Sequence, residues 1–501
     1  MEMLDHLMLG FSVASLPMNL AFCFLGVLLG TVIGILPGIG PLATISMLLP
    51  LTFGMSPVTS LIMLSGIFYG AQYGGSTTAI LVNLPGEASS TVTMIDGYQM
   101  ARRGRAGPAL AVAAIGSFFA GTVTTMLIAV VAVPLTAVAL SFGPAEYCAL
   151  MVVGLVSSIA LASGSVVKAI GMICCGLLLG LTGVDIYSSQ QRFTFGMLPL
   201  MDGIDFVALA VGIFGFAEIL RNLESGTSSR PLVGRITSLM PTRDDWRRIA
   251  GPILRGTGIG GFLGILPGGG ALLSAFVSYN IEKKVSPNSA EFGHGAIEGV
   301  AAPESANNAA AQTSFIPMLS LGLPASPIMA LMIGALTIHG ITPGPNVISR
   351  DPALFWGLIA SMWIGNAMLL VLNLPLIGIW VKLLQVPYRL LYPIIIGLCC
   401  IGVYSVSNAP FNVYMTMFAG LLAYALTKFD LEWAPFILGF VLGPLFEHQL
   451  RRTMLITGGD ASVFFTRPIS AGLLIVAAVL LVIIVLPMVR QSREQIFVEE
   501  D

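Results

Sequence analysis

The chain has 501 residues, of which 56% are hydrophobic and only 10% charged, with a mean hydropathy of +0.90 and a formal net charge of −2. Soluble proteins average about 25% charged residues, and no soluble core hides this much apolar surface, so the composition excludes a soluble fold and points to an all-α polytopic membrane protein. The near-neutral charge carries no sign of a nucleic-acid partner.

The first hundred residues contain no lysine or arginine, and the N-terminus carries Glu2 and Asp5. A cleavable signal peptide, which needs a basic start, is not expected. Within this stretch runs Gly26-Val-Leu-Leu-Gly30-Thr-Val-Ile-Gly34-Ile-Leu-Pro37-Gly38-Ile39-Gly40. Glycines four apart line one helix face and admit a second helix closely. The Leu-Pro-Gly-x-Gly end breaks the helix, because proline lacks the N–H and glycine opens φ > 0. Positive φ is expected at Gly38 and Gly40.

Downstream come Gly70-Ala-Gln-Tyr-Gly-Gly-Ser76-Thr77-Thr78 and Asn83-Leu-Pro-Gly-Glu87, then the first basic cluster, Arg102-Arg103-Gly-Arg105. Apolar spans are expected near 109–133, 148–162, 166–181 and 206–220. Residues 224–250 are the most polar stretch and read as a cytoplasmic linker between a first half, 1–223, and a second, 251–489. A surface helix over 242–249 is expected there, with Thr242 as its N-cap.

The second half opens with a near copy of the first motif. Gly256-Thr-Gly-Ile-Gly260-Gly-Phe-Leu-Gly264-Ile-Leu-Pro267-Gly268-Gly269-Gly270 aligns at a constant offset of 230. Positive φ is again expected, at Gly268 and Gly270. Arg247, Arg248 and Arg255 precede this copy and Lys283 and Lys284 follow it. By the positive-inside rule both its flanks are cytoplasmic, whereas both flanks of the first copy, including 52–58, face the periplasm. Each copy therefore reads as a re-entrant hairpin with tips near 37–41 and 267–271, and the second has arms of eleven residues, 256–266 and 271–281. Further on, 75–86 lies over 314–325 at an offset of 239, so the second copy holds nine extra residues, in its 286–311 connection. The connection after it, around Gly340-Ile-Thr-Pro-Gly-Pro345, has a lone Arg350 beside Asp351 where the first copy has three arginines. Opposite charge at equivalent places is the mark of an inverted-topology repeat. Further spans are expected near 355–374, 391–406, 413–425, 436–445 and 471–489, giving 11 to 13 membrane segments on the ~30 Å scale of a bilayer core. Residues 490–501 form a polar tail.

Glycine turns and helix N-termini bind anions through backbone N–H groups, so two facing tips offer a carboxylate site without an arginine. The expected substrate site comprises Pro37, Gly38, Gly40, Ser76, Thr77, Thr78, Asn83, Pro267, Gly268, Gly269, Gly270, Asn307 and Asn308. The competing reading makes Ser76 to Thr78 ordinary back-bonding residues and Asn307 and Asn308 a solvated loop. Asn83 aligns with Gly322, so the copies differ chemically there. Asn83, Glu87 and Glu304 are the leading candidates for cation coupling, with Asp96 and Glu298 also weighed; exposed carbonyls at such breaks hold sodium in other carriers. No resident cofactor or metal is expected beyond a transported sodium ion. The six cysteines lie in apolar runs without framework spacing and read as buried, inert thiols.

These motifs together, with Pro303-Glu304-Ser-Ala-Asn307-Asn308, resemble the large membrane subunit of the tripartite tricarboxylate transporters over essentially the whole chain. The resemblance implies a non-enzymatic permease of the bacterial inner membrane that takes up citrate-like carboxylates on a cation gradient. It also implies two partners, a small four-helix membrane subunit and a periplasmic binding protein. The rivals are weaker. Gly256-x-Gly258-x-x-Gly261 matches a dinucleotide fingerprint but follows a polar linker rather than a strand. Asp185 and Asp460 loosely suggest an intramembrane aspartyl protease, yet Asp460 lies in a polar connection. A channel or non-transporting scaffold fits two unequal hairpins less well than alternating access does.

Overall fold

A computed structural model describes residues 2–36, 40–139, 141–160, 165–185, 187–225, 239–266, 270–383 and 388–485. The first half contains α1 (Glu2–Ala14), α2 (Pro17–Ile35), α3 (Pro41–Leu48), α4 (Pro57–Val82), α5 (Thr91–Arg102), α6 (Ala106–Ala139), α7 (Pro144–Ala160) and α8 (Val166–Gly180). It closes with α9 (Phe206–Ala210) and α10 (Ala217–Ser225), joined by a π-helical stretch, Val211–Phe216. The second half contains α11 (Arg243–Leu263), α12 (Ala271–Val285), α13 (Glu298–Thr313), α14 (Phe315–Leu321), α15 (Pro327–Ile338), α16 (Asn346–Arg350) and α17 (Pro352–Asn373). It ends with α18 (Ile377–Leu383), α19 (Tyr388–Ser407), α20 (Pro410–Thr427), α21 (Trp433–Ile456), α22 (Val463–Thr466) and α23 (Pro468–Val485). Four stretches are long and apolar enough to cross a membrane, Pro17–Ile35, Ala106–Leu135, Phe206–Glu224 and Pro352–Asn373, and several shorter apolar helices accompany them. The chain is a multi-pass membrane protein.

Local chemistry sets the boundaries. Ser56 caps α4 by accepting from Thr59 N–H, and Pro57 occupies the first helical position, where a missing donor costs nothing. Ser326 and Pro327 open α15 in the same way. At the other end, α4 stops at Asn83 (φ 58°) and α14 at Gly322 (φ 71°). Asparagine and glycine are the residues that tolerate this left-handed cap, so the aligned pair that differs in chemistry shares one backbone role.

Glycine seams organise the molecule. A β-carbon on Gly26, Gly30 or Gly34 would lie 2.3, 2.3 and 2.4 Å from the carbonyl oxygens of Met63, Ile67 and Ala71. On Gly256, Gly260 or Gly264 it would lie 2.3, 2.1 and 2.5 Å from those of Ala302, Ala306 and Ala310. The contacts advance in the same direction along both partners, so α2 is parallel to α4 and α11 to α13. The chain between each pair must therefore return to the end from which it started. It does so through α3 and the short 3-10 turn Leu49–Gly54 in one copy, and through α12 in the other. The second seam runs nine residues longer in offset than the first, the same nine extra residues seen in the alignment.

The two seams point in opposite directions. Helix α17 is parallel to α4, with Gly357 against Val58 and Asn366 against Tyr73. Helix α6 is parallel to α11, with Gly116 against Ile253 and Gly261 against Thr124 and Leu127. Helices α6 and α17 are antiparallel, because Asn366 reaches Phe118 while Trp363 reaches Thr122.

Several expectations need correction. Thr242 is the N-cap of α11, in a reciprocal capping box with Asp245, but the helix does not stop at 249. It continues without interruption to Leu263, so the arms of the second break have 21 and 15 residues rather than eleven each. An amphipathic start and a glycine-rich continuation share one helical repeat, and Pro252, which lies between them, is carried inside the helix. The cysteines are all free, but Cys174 and Cys175 are exposed and Cys400 is half-buried. In a membrane protein the outer surface is itself apolar, so an apolar run does not imply burial. The linker segment 226–238 and the tail lie outside the described residues.

Candidate functional site

The buried face of α13 gathers polar groups from α4, α5 and α6 and from the turn that follows α4. Glu304, fully buried, accepts from the hydroxyls of Ser76 on α4 (2.6 Å) and Thr93 on α5 (2.5 Å). One turn along α13, the Asn307 amide donates to Glu87 (3.1 Å), which also accepts from the Ser89 hydroxyl. The Ser89 hydroxyl also lies within hydrogen-bond distance of the Gln72 side-chain amide (3.1 Å). Asn308 donates to Ser117 on α6 (2.7 Å), and Tyr73 donates to Asn366 on α17 (2.7 Å). A small cleft lined by Tyr73, Ser76, Thr77, Ser117 and Asn373 has room for about one water molecule, about 10 Å³.

No arginine or lysine pairs with Glu87 or Glu304 among the described residues, where the acids that do have basic partners lie elsewhere. Their oxygens are held by hydroxyls and amides alone. Oδ1 of Asn307 is buried with no hydrogen-bond partner among the described residues. Buried acceptors without donors are costly, and a cation satisfies them without a new side chain. The cluster is an oxygen-rich interior whose acids have no basic partner among the described residues, where the two seams meet.

The expected residues divide into several groups. Ser76, Thr77, Asn307, Asn308, Glu87 and Glu304 belong to the cluster or line its cleft. Ser76 also back-bonds to Gln72 of its own helix (3.0 Å), so the ordinary reading and the functional one hold together. Asn307 and Asn308 sit inside α13 and are buried; they are not a solvated loop. Thr78 donates to the Ile35 carbonyl (2.7 Å), closing the last turn of α2 before the break. Asn83 is exposed at the end of α4, as its left-handed cap. Pro37, Gly38, Pro267, Gly268 and Gly269 lie outside the described residues. Gly40 and Gly270 are described and differ. Gly270 has φ 41°, whereas Gly40 has φ −76° and ψ 170°, an extended conformation open to any residue, so the expected positive φ is absent there. Proline at 41 explains the difference, since it drives the preceding residue to extended backbone.

Asp96 and Glu298 drop out of the coupling candidates. The Asp96 carboxylate is taken by the Tyr279 hydroxyl (2.9 Å) and the N–H groups of Gly295 (2.7 Å) and Ala296 (2.9 Å). Glu298 forms a two-pronged pair with Arg248 (2.8 and 2.8 Å) and accepts from Asn288 (2.9 Å). Asp185 is also structural. Tyr187 N–H, the Ser188 hydroxyl and Arg192 hold its carboxyl well below the usual range, and Arg451 joins them at 3.1 Å. Asp460 is exposed and turns back to Ser462.

Sequence reasoning missed Thr93, Ser89, Ser117, Gln72, Tyr73 and Asn366. Gln72 and Tyr73 lie inside the motif already quoted. Asn366 was detectable as an amide in the middle of an apolar span, where polar residues are expensive and functional. Thr93 and Ser117 carry no such signal, because a hydroxyl satisfies itself on its own helix.

The family model described as "Tripartite tricarboxylate transporter TctA family" matches residues 20–438. The chain is 61% identical over 501 residues, covering all of both sequences, to the "Uncharacterized 52.8 kDa protein in TAR-I ttuC' 3'region" of Agrobacterium vitis. It is 60% identical over 242 residues, 48% of this chain and all of the relative, to the "Uncharacterized protein in TAR-II ttuC' 3'region" of the same organism. No solved structure matches.

Proposed function

The chain belongs to the tripartite tricarboxylate transporter TctA family, and from that premise we propose that it is the permease of a bacterial inner membrane system importing citrate-like carboxylates on a cation gradient. Sodium is the proposed coupling ion. The observation that carries this reading is the cluster around Glu304, where buried carboxylate, hydroxyl and amide oxygens meet without a basic partner among the described residues. An arginine-free pocket of this kind suits a hard cation bound beside an anion held by backbone N–H groups at the two breaks.

The seams support an inverted-topology repeat with two re-entrant hairpins. Each pair of parallel helices requires a return between them, and the two pairs run oppositely. The size of the central cleft supports alternating access. About one water fits there, so a citrate-sized ligand needs the two halves to separate on one side at a time. Substrate delivery by a periplasmic binding protein, and assembly with a small membrane subunit, follow from the family; no segment here is long and polar enough to capture a scarce solute.

The test is radiolabelled citrate uptake into vesicles holding the chain, its small subunit and the binding protein. Accumulation with an inward sodium gradient, lost when the gradient is collapsed, is expected. Equal uptake with sodium on both sides or replaced by choline overturns sodium coupling, and equilibration without accumulation indicates a channel. Uptake of neutral solutes but no carboxylate would overturn the substrate class.

A further inference from the structure

A second polar cavity, of about 550 Å³, lies far from the Glu304 cluster. Its walls come from the start of α7, the end of α14, the segment 340–351 and the last turns of α21. Gly322, on its wall, is 14 residues beyond Asn308 along α13 and α14, about 20 Å at the helical rise. The cavity contains the Gly340-Ile-Thr-Pro-Gly-Pro345 motif, which the central site does not use, and the isolated Arg350.

Its charge is unusual for its neighbourhood. Nearby arginines are neutralised: Arg192 and Arg451 by Asp185 and Glu447, and Arg467 by Glu146 at 2.9 Å. Arg350 and Arg452, both lining the cavity and both exposed, have no ion-pair partner among the described residues. Asp351 is the one acid among the described residues that line the cavity, so a positive charge is left over among them. Oε1 of Gln449, another lining residue, is buried without a hydrogen-bond partner among the described residues. Two free guanidinium groups bind carboxylates through paired N–H bonds, and an amide oxygen takes a hydroxyl hydrogen.

We propose that this cavity is a receiving site for small hydroxycarboxylates, occupied before the substrate reaches the central cluster. Helix α6 starts beside Arg105 and ends just before α7, whose first turn lines the cavity, so the cavity lies at the end away from Arg105 and on the side proposed as periplasmic. The proposal rests on the carboxylate reading for its choice of probe, but its site is separate and is tested separately.

Thr342 is exposed on the cavity wall and serves as the reporter. In a Thr342→Cys variant freed of native cysteines, an impermeant maleimide applied from outside should label position 342, and millimolar citrate should slow labelling severalfold. Arg350→Gln or Arg452→Gln should raise the citrate concentration for half-protection by about tenfold, the scale of one charge-assisted bond, while Arg452→Lys should keep part of it. The same protection should persist with Glu304→Gln added, which separates this site from the central one. Glycerol should not protect. Absence of citrate protection, or protection untouched by both arginine variants, overturns the proposal. Protection that appears without citrate in anionic-lipid vesicles and vanishes in phosphatidylcholine assigns the arginines to lipid phosphate and overturns it equally. Membrane abundance and melting temperature, unchanged in these exposed-site variants, show that each protein is folded.

Discussion

Glu304 uses both carboxylate oxygens as acceptors, one for Ser76 and one for Thr93. An amide at this position can accept only on its oxygen, so Glu304→Gln makes one of the two hydroxyls an acceptor of the amide N–H, and of the two only Ser76 has another acceptor for its own proton, the Gln72 carbonyl at 3.0 Å. The expected cost is about 1–3 kcal/mol, read as a lowered melting temperature in detergent with normal membrane abundance. Cation-driven uptake should be lost in the same variant; full sodium-dependent accumulation would remove Glu304 from the coupling machinery. Gly270 and Gly40 form a second, purely conformational contrast. A side chain at either meets nothing within 4 Å, so only the backbone discriminates. Gly270→Ala should destabilise by about 1–2 kcal/mol through its φ of 41°, whereas Gly40→Ala should be neutral. Equal melting temperatures for the two variants would contradict this. The left-handed caps at Asn83 and Gly322 teach the complementary lesson. Aligned residues that look chemically unequal can share a role that lives in the main chain.

At the scale of elements, the seams decide what folds. Gly260→Val places its β-carbon 2.1 Å from the Ala306 oxygen, and Gly30→Val places its own 2.3 Å from the Ile67 oxygen. A carbonyl oxygen fixed in a helix cannot retreat, so both variants should lose most of their folded protein, measured as detergent-soluble monodisperse material. Gly258, on the same helix as Gly260, faces open space. Gly258→Ala should be tolerated or slightly stabilising, since alanine exceeds glycine by about 1 kcal/mol in helix propensity. A Gly258→Ala loss as severe as that of Gly260→Val would refute the seam. These glycine steps were legible in the sequence, as were the spans corresponding to α6, α8, α17, α20 and α23. The lengths of α11 and α12 were not, because charged residues bound the apolar stretches of sequence while the helices run on through them. Arg255 and Glu282 sit within the helical arms and pair with each other at 2.7 Å.

For the whole molecule, the antiparallel seams make a prediction about sides. Single cysteines at 283 and at 103 should be labelled only from the cytoplasm, and cysteines at 54 and 342 only from the periplasm, when an impermeant reagent is used on intact cells and inverted vesicles. Labelling of 54 and 283 from one side would contradict the opposed hairpins. The two glycine seams were visible in sequence because duplicated glycine and proline motifs survive as text. The central cluster was only partly visible, because it is assembled across distant helices. Glu304 reaches back 228 residues to Ser76 and 211 to Thr93, and no local spacing encodes such contacts.

The six seam glycines have a consequence for how such a carrier changes over generations. Their side chain is a single hydrogen atom, and no other amino acid is smaller, so the seam offers no intermediate step through which selection can move. The hydroxyls and amides around Glu304 and the arginines of the outer cavity are different, since serine, threonine, asparagine and glutamine interchange there at modest cost. A library selected for growth on a new carboxylate should therefore gather its substitutions at those polar positions and leave 26, 30, 34, 256, 260 and 264 untouched. The protein's capacity for novelty and its resistance to change thus occupy different, neighbouring helices, the seam glycines α2 and α11 and the polar positions their packing partners α4 and α13.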